Sequence, residues 1–160
     1  MAIKPNFTED DIRRQFGIFL DKVEKRAILR LKKLGEECVA HARDIPYTTG
    51  FQDQTGNLRS SIGYVVFKNG IAIHEGYEAV TGVNAKGETL NGAEGVKAGK
   101  TLAEMVGGKT QGICLVVTAG MNYASYVEAK GRDVITSAEM LAERELPRML
   151  EELKDNIRNV

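Results

Sequence analysis

Two cysteines and two histidines in this 160-residue sequence raise the question of a metal site or a reactive thiol. Cys38 and His41 lie three residues apart, a spacing that on a helix would turn both toward one metal. A zinc site needs three or four ligands, and no second Cys/His pair accompanies this one. We therefore expect a buried cysteine beside a surface histidine, with no metal and no other cofactor.

A cysteine-dependent hydrolase is the other chemistry that these residue types allow. Cys114 or Cys38 could pair with a distant histidine, but no local motif accompanies either thiol. His74 and Glu75 are neighbours on a predicted strand, where adjacent side chains point to opposite faces and cannot act together. The sequence therefore names no catalytic residue. We expect that the protein is not an enzyme, and we keep the hydrolase as the least favoured alternative.

A glycine-rich stretch raises the question of phosphate binding. Glycine occupies eight positions between residues 78 and 112, and the Gly-Gly-Lys-Thr at 107–110 resembles the end of a Walker motif. The first glycine of that motif should stand at position 103, which is alanine, and no convincing strand precedes it. We predict a flexible insertion loop over residues 78–112, with room for a short helix near Thr101–Val106.

A basic run in the first predicted helix could contact the phosphates of a nucleic acid. Its six cationic side chains are Lys22, Lys25, Arg26, Arg30, Lys32 and Lys33. The whole chain balances 22 Lys+Arg against 22 Asp+Glu, so it lacks the basic excess typical of proteins that coat nucleic acid. We favour a solvated face with ion pairs such as Asp21–Lys25. A small nucleic-acid-binding module remains the alternative function.

The length and composition suit one domain over residues 1–160, with 42% hydrophobic residues to build a core. Met1–Glu9 has no apolar core of signal-peptide length, and no run approaches the length that spans a membrane. We therefore expect no membrane partner and folding in a reducing cytoplasm. In that compartment the two cysteines act as small buried hydrophobic residues rather than as a disulfide.

A long helix over Thr8–Arg43 is the strongest predicted element, with Thr8 suited to cap its start and Pro46 to end it. Such a helix is about 50 Å long at 1.5 Å per residue, longer than a compact domain of this size needs. Steps of three and four place its apolar residues on one stripe, so we expect part of the stripe to contact another subunit. The stripe comprises Ile12, Phe16, Phe19, Val23, Ala27, Leu31, Leu34, Cys38 and Ala42.

Strands and a turn follow the long helix. Asn69-Gly70 predicts a type I′ hairpin between strands over Ile62–Phe67 and Ile71–Tyr77. Ile113–Thr118 is apolar throughout, so we expect a third strand at the centre of the sheet. Asp133–Ile135 is long enough for a brief fourth strand.

Two further helices complete the layout. A short one is predicted over Asn122–Lys130 and is closed by Gly131. A second long helix is predicted over Ser137–Arg158, where Thr136-Ser137-Ala138-Glu139 has the spacing of a capping box and Pro147 should kink or split the helix. The order predicts an α+β fold: a long N-terminal helix and a C-terminal helix packed on a small antiparallel sheet of three to four strands, with a Gly-rich insertion.

Two short segments stand out from this layout. The first, Thr55-Gly56-Asn57-Leu58-Arg59-Ser60-Ser61-Ile62, predicts a turn capped by Thr55 that carries Leu58 and Ile62 inward and leads into a strand. The second, Tyr123-Ala124-Ser125-Tyr126-Val127-Glu128, places its two tyrosines on neighbouring turns of the short helix. Neither segment contains a catalytic group in a catalytic setting. Both are therefore expected to build the fold.

In this order and between these helices, the two segments resemble the neck and tail-completion proteins of long-tailed phages and prophages, the minor head–tail joining family. In that family an N-terminal helix precedes a Thr-Gly-(polar)-Leu-Arg-x-Ser-Ile segment, and a strand pair, a Tyr-Ala-x-Tyr-Val-Glu segment and a C-terminal helix follow. The likeness covers most of the layout but is close only in the two segments. Where the family often continues into Phe-Gly-Thr, this chain has Ala129-Lys130-Gly131.

The resemblance implies a structural virion protein that completes the tail, or joins head to tail, as an oligomeric ring in the neck. The implied partners are further copies of the chain, head-completion or connector proteins, and tail-tube or terminator proteins, with only non-specific proximity to DNA. The implied location is the virion, and the bacterial host cytoplasm before assembly. The expected structural or intersubunit contacts are Phe16, Phe19, Val23, Thr55, Gly56, Leu58, Arg59, Tyr123, Tyr126 and Glu128.

Overall fold

Helices at both ends of the chain enclose a small sheet in the computed structural model, which describes residues 7–158. Residues 1–6 lie outside the described residues. They make up most of Met1–Glu9, the segment in which we expect no signal peptide. From the N-terminus the elements are α1 (Glu9–Arg43), α2 (Asn57–Ser61), β1 (Ile62–Lys68), β2 (Ile71–Gly76), β3 (Gly82–Val83), β4 (Thr89–Leu90), α3 (Ala93–Gly107), β5 (Ile113–Ala119), α4 (Ala124–Ala129) and α5 (Thr136–Arg158). The predicted α+β class is confirmed.

Local signals set the start and end of α1 as predicted. The Thr8 hydroxyl accepts a hydrogen bond from the Asp11 amide, and the Asp11 carboxylate accepts one from the Thr8 amide at 3.0 Å. This capping box satisfies two amides that a helix start otherwise leaves without partners. The helix runs for 35 residues and ends at Arg43, with Asp44 as its C-cap two residues before Pro46.

The sheet is antiparallel, with the strand order β2-β1-β5. Asn69 and Gly70 have φ angles of 51° and 78°, which confirms the predicted tight turn between β1 and β2. The prediction of a central third strand is wrong, because β1 lies in the middle and β5 at an edge. β5 is nonetheless apolar throughout because helices contact both of its faces.

Helices cover the two faces of the sheet unequally. On one face, Leu34 and Cys38 of α1 form the larger core cluster, with Leu115 and Val117 of β5 packed against it. α5 lies beside α1 and runs antiparallel to it. His41 near the end of α1 bonds to Ser137 at the start of α5, and Arg26 at the middle of α1 bonds to Asn156 near the end of α5. On the other face, Ala103 of α3 belongs to a smaller cluster with two residues of β1, Val65 and Phe67.

The prediction of a flexible loop over residues 78–112 is wrong. The β3–β4 hairpin and the 15-residue helix α3 lie within this segment. The short helix expected near Thr101–Val106 is the second half of α3. The glycines permit the packing: a Cβ on Gly95 would lie 2.1 Å from the carbonyl oxygen of Asn57. The buried positions of α3 are one helical turn apart and contain only small residues: Gly95, Gly99, Ala103 and Gly107.

Two smaller predictions near the C-terminus also need correction. Asp133–Ile135 does not form a fourth strand of the sheet; Asp133 makes one isolated parallel bridge with Gly50 instead. Pro147 does not split the last helix, which continues as α5 over 23 residues with the proline inside it. A proline there removes one backbone hydrogen bond, and packing of α5 against α1 retains the helix.

Candidate assembly surfaces

The two motif segments meet in one buried cluster. The amide of Gly120 donates to the Ser61 carbonyl at 3.2 Å, and the amide of Met121 donates to the Ser61 hydroxyl at 3.3 Å. Leu58, Ile62 and Ala124 belong to the same core cluster. The segments are about sixty residues apart in sequence, so only the tertiary fold brings them together.

The turn of the first motif is built differently from the prediction. Gly56, with φ of 77°, takes the N-cap position of α2, and the Thr55 hydroxyl accepts only a long hydrogen bond of 3.4 Å from the Asn57 amide. A side chain at Gly56 would also collide with the carbonyl of Val80, so this position requires glycine for two reasons. Leu58 is buried, as the sequence predicts.

Arg59 makes its contacts within the chain. Its guanidinium donates to the carbonyl of Arg43 at the end of α1, and lies over the Phe51 ring at 5.3 Å from the ring centre. Its amide donates to the Asp53 carboxylate at 2.9 Å. These contacts join the end of α1 to the loop and helix that follow it, so the structure places Arg59 in a folding role.

The two tyrosines of the second motif are exposed to different degrees. Tyr123 is 37% exposed, and burial raises its pKa, while a hydrogen bond with the Thr55 side chain opposes that rise. Tyr126 is 62% exposed, and the Lys130 ammonium lies 5.1 Å from the centre of its ring. Tyr126 is therefore the motif residue best placed for a contact outside the chain.

Glu128, the last residue of the second motif, caps α5. One of its carboxylate oxygens accepts hydrogen bonds from the amides of Val134, Ile135 and Thr136, and from the Thr136 hydroxyl at 2.6 Å. Burial raises the pKa of Glu128, but these hydrogen bonds outweigh it and hold the pKa below its ordinary value. Glu128 therefore fills the capping role predicted for the Thr136–Glu139 box.

The N-terminal part of α1 extends past the rest of the fold. Two polar contacts with other elements lie nearest the N-terminus of α1. The Arg26 guanidinium donates to the Asn156 carbonyl at 3.3 Å, and Glu24 forms an ion pair with Lys68. Before Glu24, no hydrogen bond or ion pair to another element occurs in the part of α1 that the structure describes. We call residues 7–22 the α1 overhang.

The α1 overhang carries large apolar side chains that no other element covers. Phe16 is 59% exposed, and it stacks only on Phe19, with ring centres 6.4 Å apart. Phe19 and Val23 are half-buried. Exposed apolar clusters of this kind mark interaction sites in soluble proteins. The other exposed large hydrophobic residues of the overhang are Phe7, Ile12, Ile18 and Leu20.

A second apolar surface is a groove of about 460 Å³ between α1, α5 and the outer edge of β5, here called the α1–α5 groove. Its lining is apolar except for Arg30, whose guanidinium is held by Glu152 at 2.9 Å. The α5 side of the groove was missed by sequence reasoning. Apolar spacing along α5 indicated a buried face, but not that Leu146 and Leu150 would stay partly exposed in a groove.

Cys38 and His41, for which we expect no metal, contact different partners. Cys38 is 1% exposed, and its Sγ lies 3.6 Å from the Ala138 carbonyl, while the His41 imidazole lies 3.0 Å from the Ser137 hydroxyl. Burial raises the pKa of the Cys38 thiol, which disfavours the reactive thiolate. Residues 7–158 contain no cluster of three or more metal-binding side chains.

The other thiol is also separated from the imidazoles. Cys114 pairs across the sheet with Phe67, and His74 pairs with Val66, so the two side chains point to opposite faces. Cys114 Sγ instead lies 3.1 Å from the Thr110 hydroxyl. Among the described residues, no hydrogen bond joins a cysteine to a histidine.

The basic run on α1 is largely engaged within the chain. Lys32 and Lys33 form ion pairs one helical turn away, with Glu36 at 3.8 Å and Glu37 at 3.7 Å. Arg26 and Arg30 bond to α5, as described above, and the predicted Asp21–Lys25 pair is not among the ion pairs of the described residues. The Gly-Gly-Lys-Thr at 107–110 lies at the C-terminal end of α3, the negative pole of the helix, where phosphate is disfavoured.

Comparison of the chain with family models, with curated proteins and with solved structures found no match. Among the described helices, none combines the length and the apolar character that crossing a membrane requires.

Proposed function

We propose that the protein is a structural component of a phage or prophage virion, which completes the tail or joins head to tail as a ring of copies in the neck. The observation that carries this proposal is the α1 overhang, a helical segment on which Phe7, Ile12 and Phe16 are each more than half exposed. An apolar surface on a protruding rod is costly in water and is typical of a subunit that assembles.

A second surface supports assembly for the same reason. The α1–α5 groove leaves Leu146 and Leu150 partly exposed, and β5 is a seven-residue apolar strand at the edge of the sheet. Edge strands and apolar grooves are surfaces through which subunits join. A ring subunit needs such lateral surfaces and little chemistry, which agrees with thiols and imidazoles that lie apart.

The identity of the assembly rests on the resemblance between the two motif segments and the neck family. Under this proposal the partners are further copies of the chain, head-completion or connector proteins, and tail-tube or terminator proteins. The protein would reach the virion neck from the host cytoplasm and encircle the DNA path without reading sequence. The balance of 22 cationic and 22 anionic side chains suits a subunit that stands near DNA without coating it.

Mass measurement across a concentration series tests the proposal, with and without the virion proteins encoded beside this chain. We expect self-association that increases with concentration, and closed rings by negative-stain electron microscopy when a neighbouring virion protein is present. Strictly monomeric behaviour under every condition would contradict the ring.

A further inference from the structure

We propose that the α1 overhang of one copy binds in the α1–α5 groove of a second copy. The contact joins two different patches, so it is heterologous, and repetition of it around an axis closes a ring. The inference deepens the proposed function and rests on it, because it names the two surfaces through which copies join.

The overhang has the anchor spacing of a helix that binds in a groove. Ile12, Phe16 and Phe19 lie at positions i, i+4 and i+7, so their side chains project from one side of α1. The apolar surface they form is almost free of polar atoms, with Asp11 and Gln15 at its border. Side chains at this spacing insert together into a complementary groove.

The α1–α5 groove has the lining that a third helix needs. Helical rows with steps of three and four line it on both sides, and residues of β5 complete the lining. A helix packs by placing its ridge of side chains between two such rows, with axes about 8–10 Å apart. The rows are Ala27, Leu31 and Leu34 on α1, and Ala142, Leu146, Met149 and Leu153 on α5.

The two surfaces also agree in length. Residues 9–22 of the overhang span about 20 Å at 1.5 Å per residue, and the groove row from Ala142 to Leu153 spans about 17 Å. Phe7 and Phe16 are 60% and 59% exposed and Ile12 is 53% exposed, so more than half of the surface of each side chain is left to bury in a groove.

The overhang cannot occupy the groove of its own chain. Residues 9–43 form one continuous helix, and Ala27, Leu31 and Leu34 of that same helix are one wall of the groove. While α1 stays helical it cannot bend back onto its own side, so a helical overhang reaches the groove only from a different copy. Pairing between two overhangs would cover the phenylalanines but leave the groove exposed to water, whereas the proposed contact covers both.

Two single variants and their mixture test the proposal. Phe16→Glu removes the anchor, and Leu150→Glu, at a groove residue that is 48% exposed, blocks the groove. Both sites are exposed enough for the variants to fold, which circular dichroism and thermal unfolding will verify. Met105→Glu is the matched control, because Met105 is 70% exposed on α3, away from both surfaces. The readout is mass by sedimentation or light scattering over a concentration series of the full chain.

Each variant alone should be monomeric where the wild type associates, with a Kd raised roughly 30-fold or more, as for the loss of an interface hot spot. The equimolar mixture should form a 1:1 heterodimer and nothing larger, because the intact overhang of one variant binds the intact groove of the other. Met105→Glu should associate like the wild type.

Other outcomes overturn the inference. If Leu150→Glu associates normally while Phe16→Glu does not, the overhangs pair with each other. If the mixture of the two variants stays monomeric, the overhang and the groove do not bind each other. If both variants keep the wild-type association, copies join through another surface, and the proposed function survives without this contact. If the wild type is monomeric under every condition, the inference and the proposed function fail together.

Discussion

At the residue scale, the Glu128 carboxylate shows how the last residue of a six-residue motif can organise a helix that begins eight residues later. One of its oxygens accepts hydrogen bonds from the amide and hydroxyl of Thr136, at the start of α5, where the positive end of the helix dipole lies. The same oxygen accepts a hydrogen bond from the Ile135 amide just before the helix. Charge-assisted bonds of this kind favour the ionised carboxylate. The structure therefore explains the glutamate of the motif by stability, without an external ligand.

Replacing Glu128 with glutamine should lower the free energy of unfolding by about 1–2 kcal/mol at neutral pH, the range for loss of a helix cap. The folded-state pKa lies below the ordinary 4.5, so the stabilisation is fully present above that value and is lost as the pH falls through the folded pKa. Urea unfolding of both proteins between pH 7 and pH 3 measures this difference.

Glu143→Gln is the matched control, because Glu143 is exposed on the same helix and accepts no side-chain hydrogen bond among the described contacts. It should change stability by less than about 0.5 kcal/mol at every pH. Equal losses for the two variants, or a Glu128 effect that does not shrink on acidification, would contradict the capping role.

At the element scale, α3 is held against α2 and β1 by its small residues. Gly95 and Gly99 would each place an added Cβ against backbone of residues 57 or 61, so the helix sits closer than a larger residue would allow. Glycine in a helix costs about 1 kcal/mol relative to alanine, and close packing offsets that cost here.

Substitution of Gly95 by alanine should destabilise the protein by about 1–3 kcal/mol, although alanine is the better helix former. The new Cβ would lie 2.1 Å from the Asn57 carbonyl oxygen, a backbone atom that cannot rotate away. Thermal or urea unfolding provides the measurement.

Gly17→Ala is the opposite case within the same protein. A Cβ at Gly17 meets nothing within 4 Å, and the position lies inside α1. Only the helix preference remains there, so Gly17→Ala should stabilise α1 locally by roughly 0.5–1 kcal/mol. A stabilised Gly95→Ala protein would show that α3 does not pack as described.

The predictable elements share one property, which is that their signals are local. The capping box of Thr8 and the Asn69-Gly70 turn each act within four residues, and both form as predicted. α3 was missed because eight glycines indicate flexibility by composition, whereas the spacing of Gly95, Gly99 and Gly107 becomes informative only against a partner surface. Likewise, the apolar pattern of β5 shows that both faces are covered but cannot distinguish a central strand from an edge strand.

At the scale of the whole molecule, stability is distributed unevenly along α1. Its C-terminal third holds Leu34, Cys38 and Ala42 in the main core, while the overhang has exposed phenylalanines and no polar link to another element. A helical end without tertiary packing frays, because helix propensity alone barely sustains short segments. One continuous helix therefore contains a rigid part and a part that opens readily in the monomer.

Hydrogen exchange followed by mass spectrometry should show this gradient. In dilute monomer, amides of residues 9–20 should exchange at least about 100-fold faster than those of residues 34–42, because local opening there costs little free energy. At concentrations where copies associate, the overhang should become protected, and so should the α5 residues of the groove. Uniform protection along α1 in the monomer would contradict the description of the overhang.

Sequence alone determined the α+β class, the extent of α1, the β1–β2 hairpin and the inward-facing residues Leu58 and Ile62, because periodicity, caps and turn residues act over a few neighbouring positions. Tertiary structure alone decided that the two motifs share a cluster, that Arg59 bonds to the end of α1, and that β5 lies at an edge. It also decided that α1 extends further than α5 and that an apolar groove lies between the two helices. These features depend on which distant segments pack against each other. Residues throughout the chain contribute to that packing energy, so no short stretch of sequence determines it.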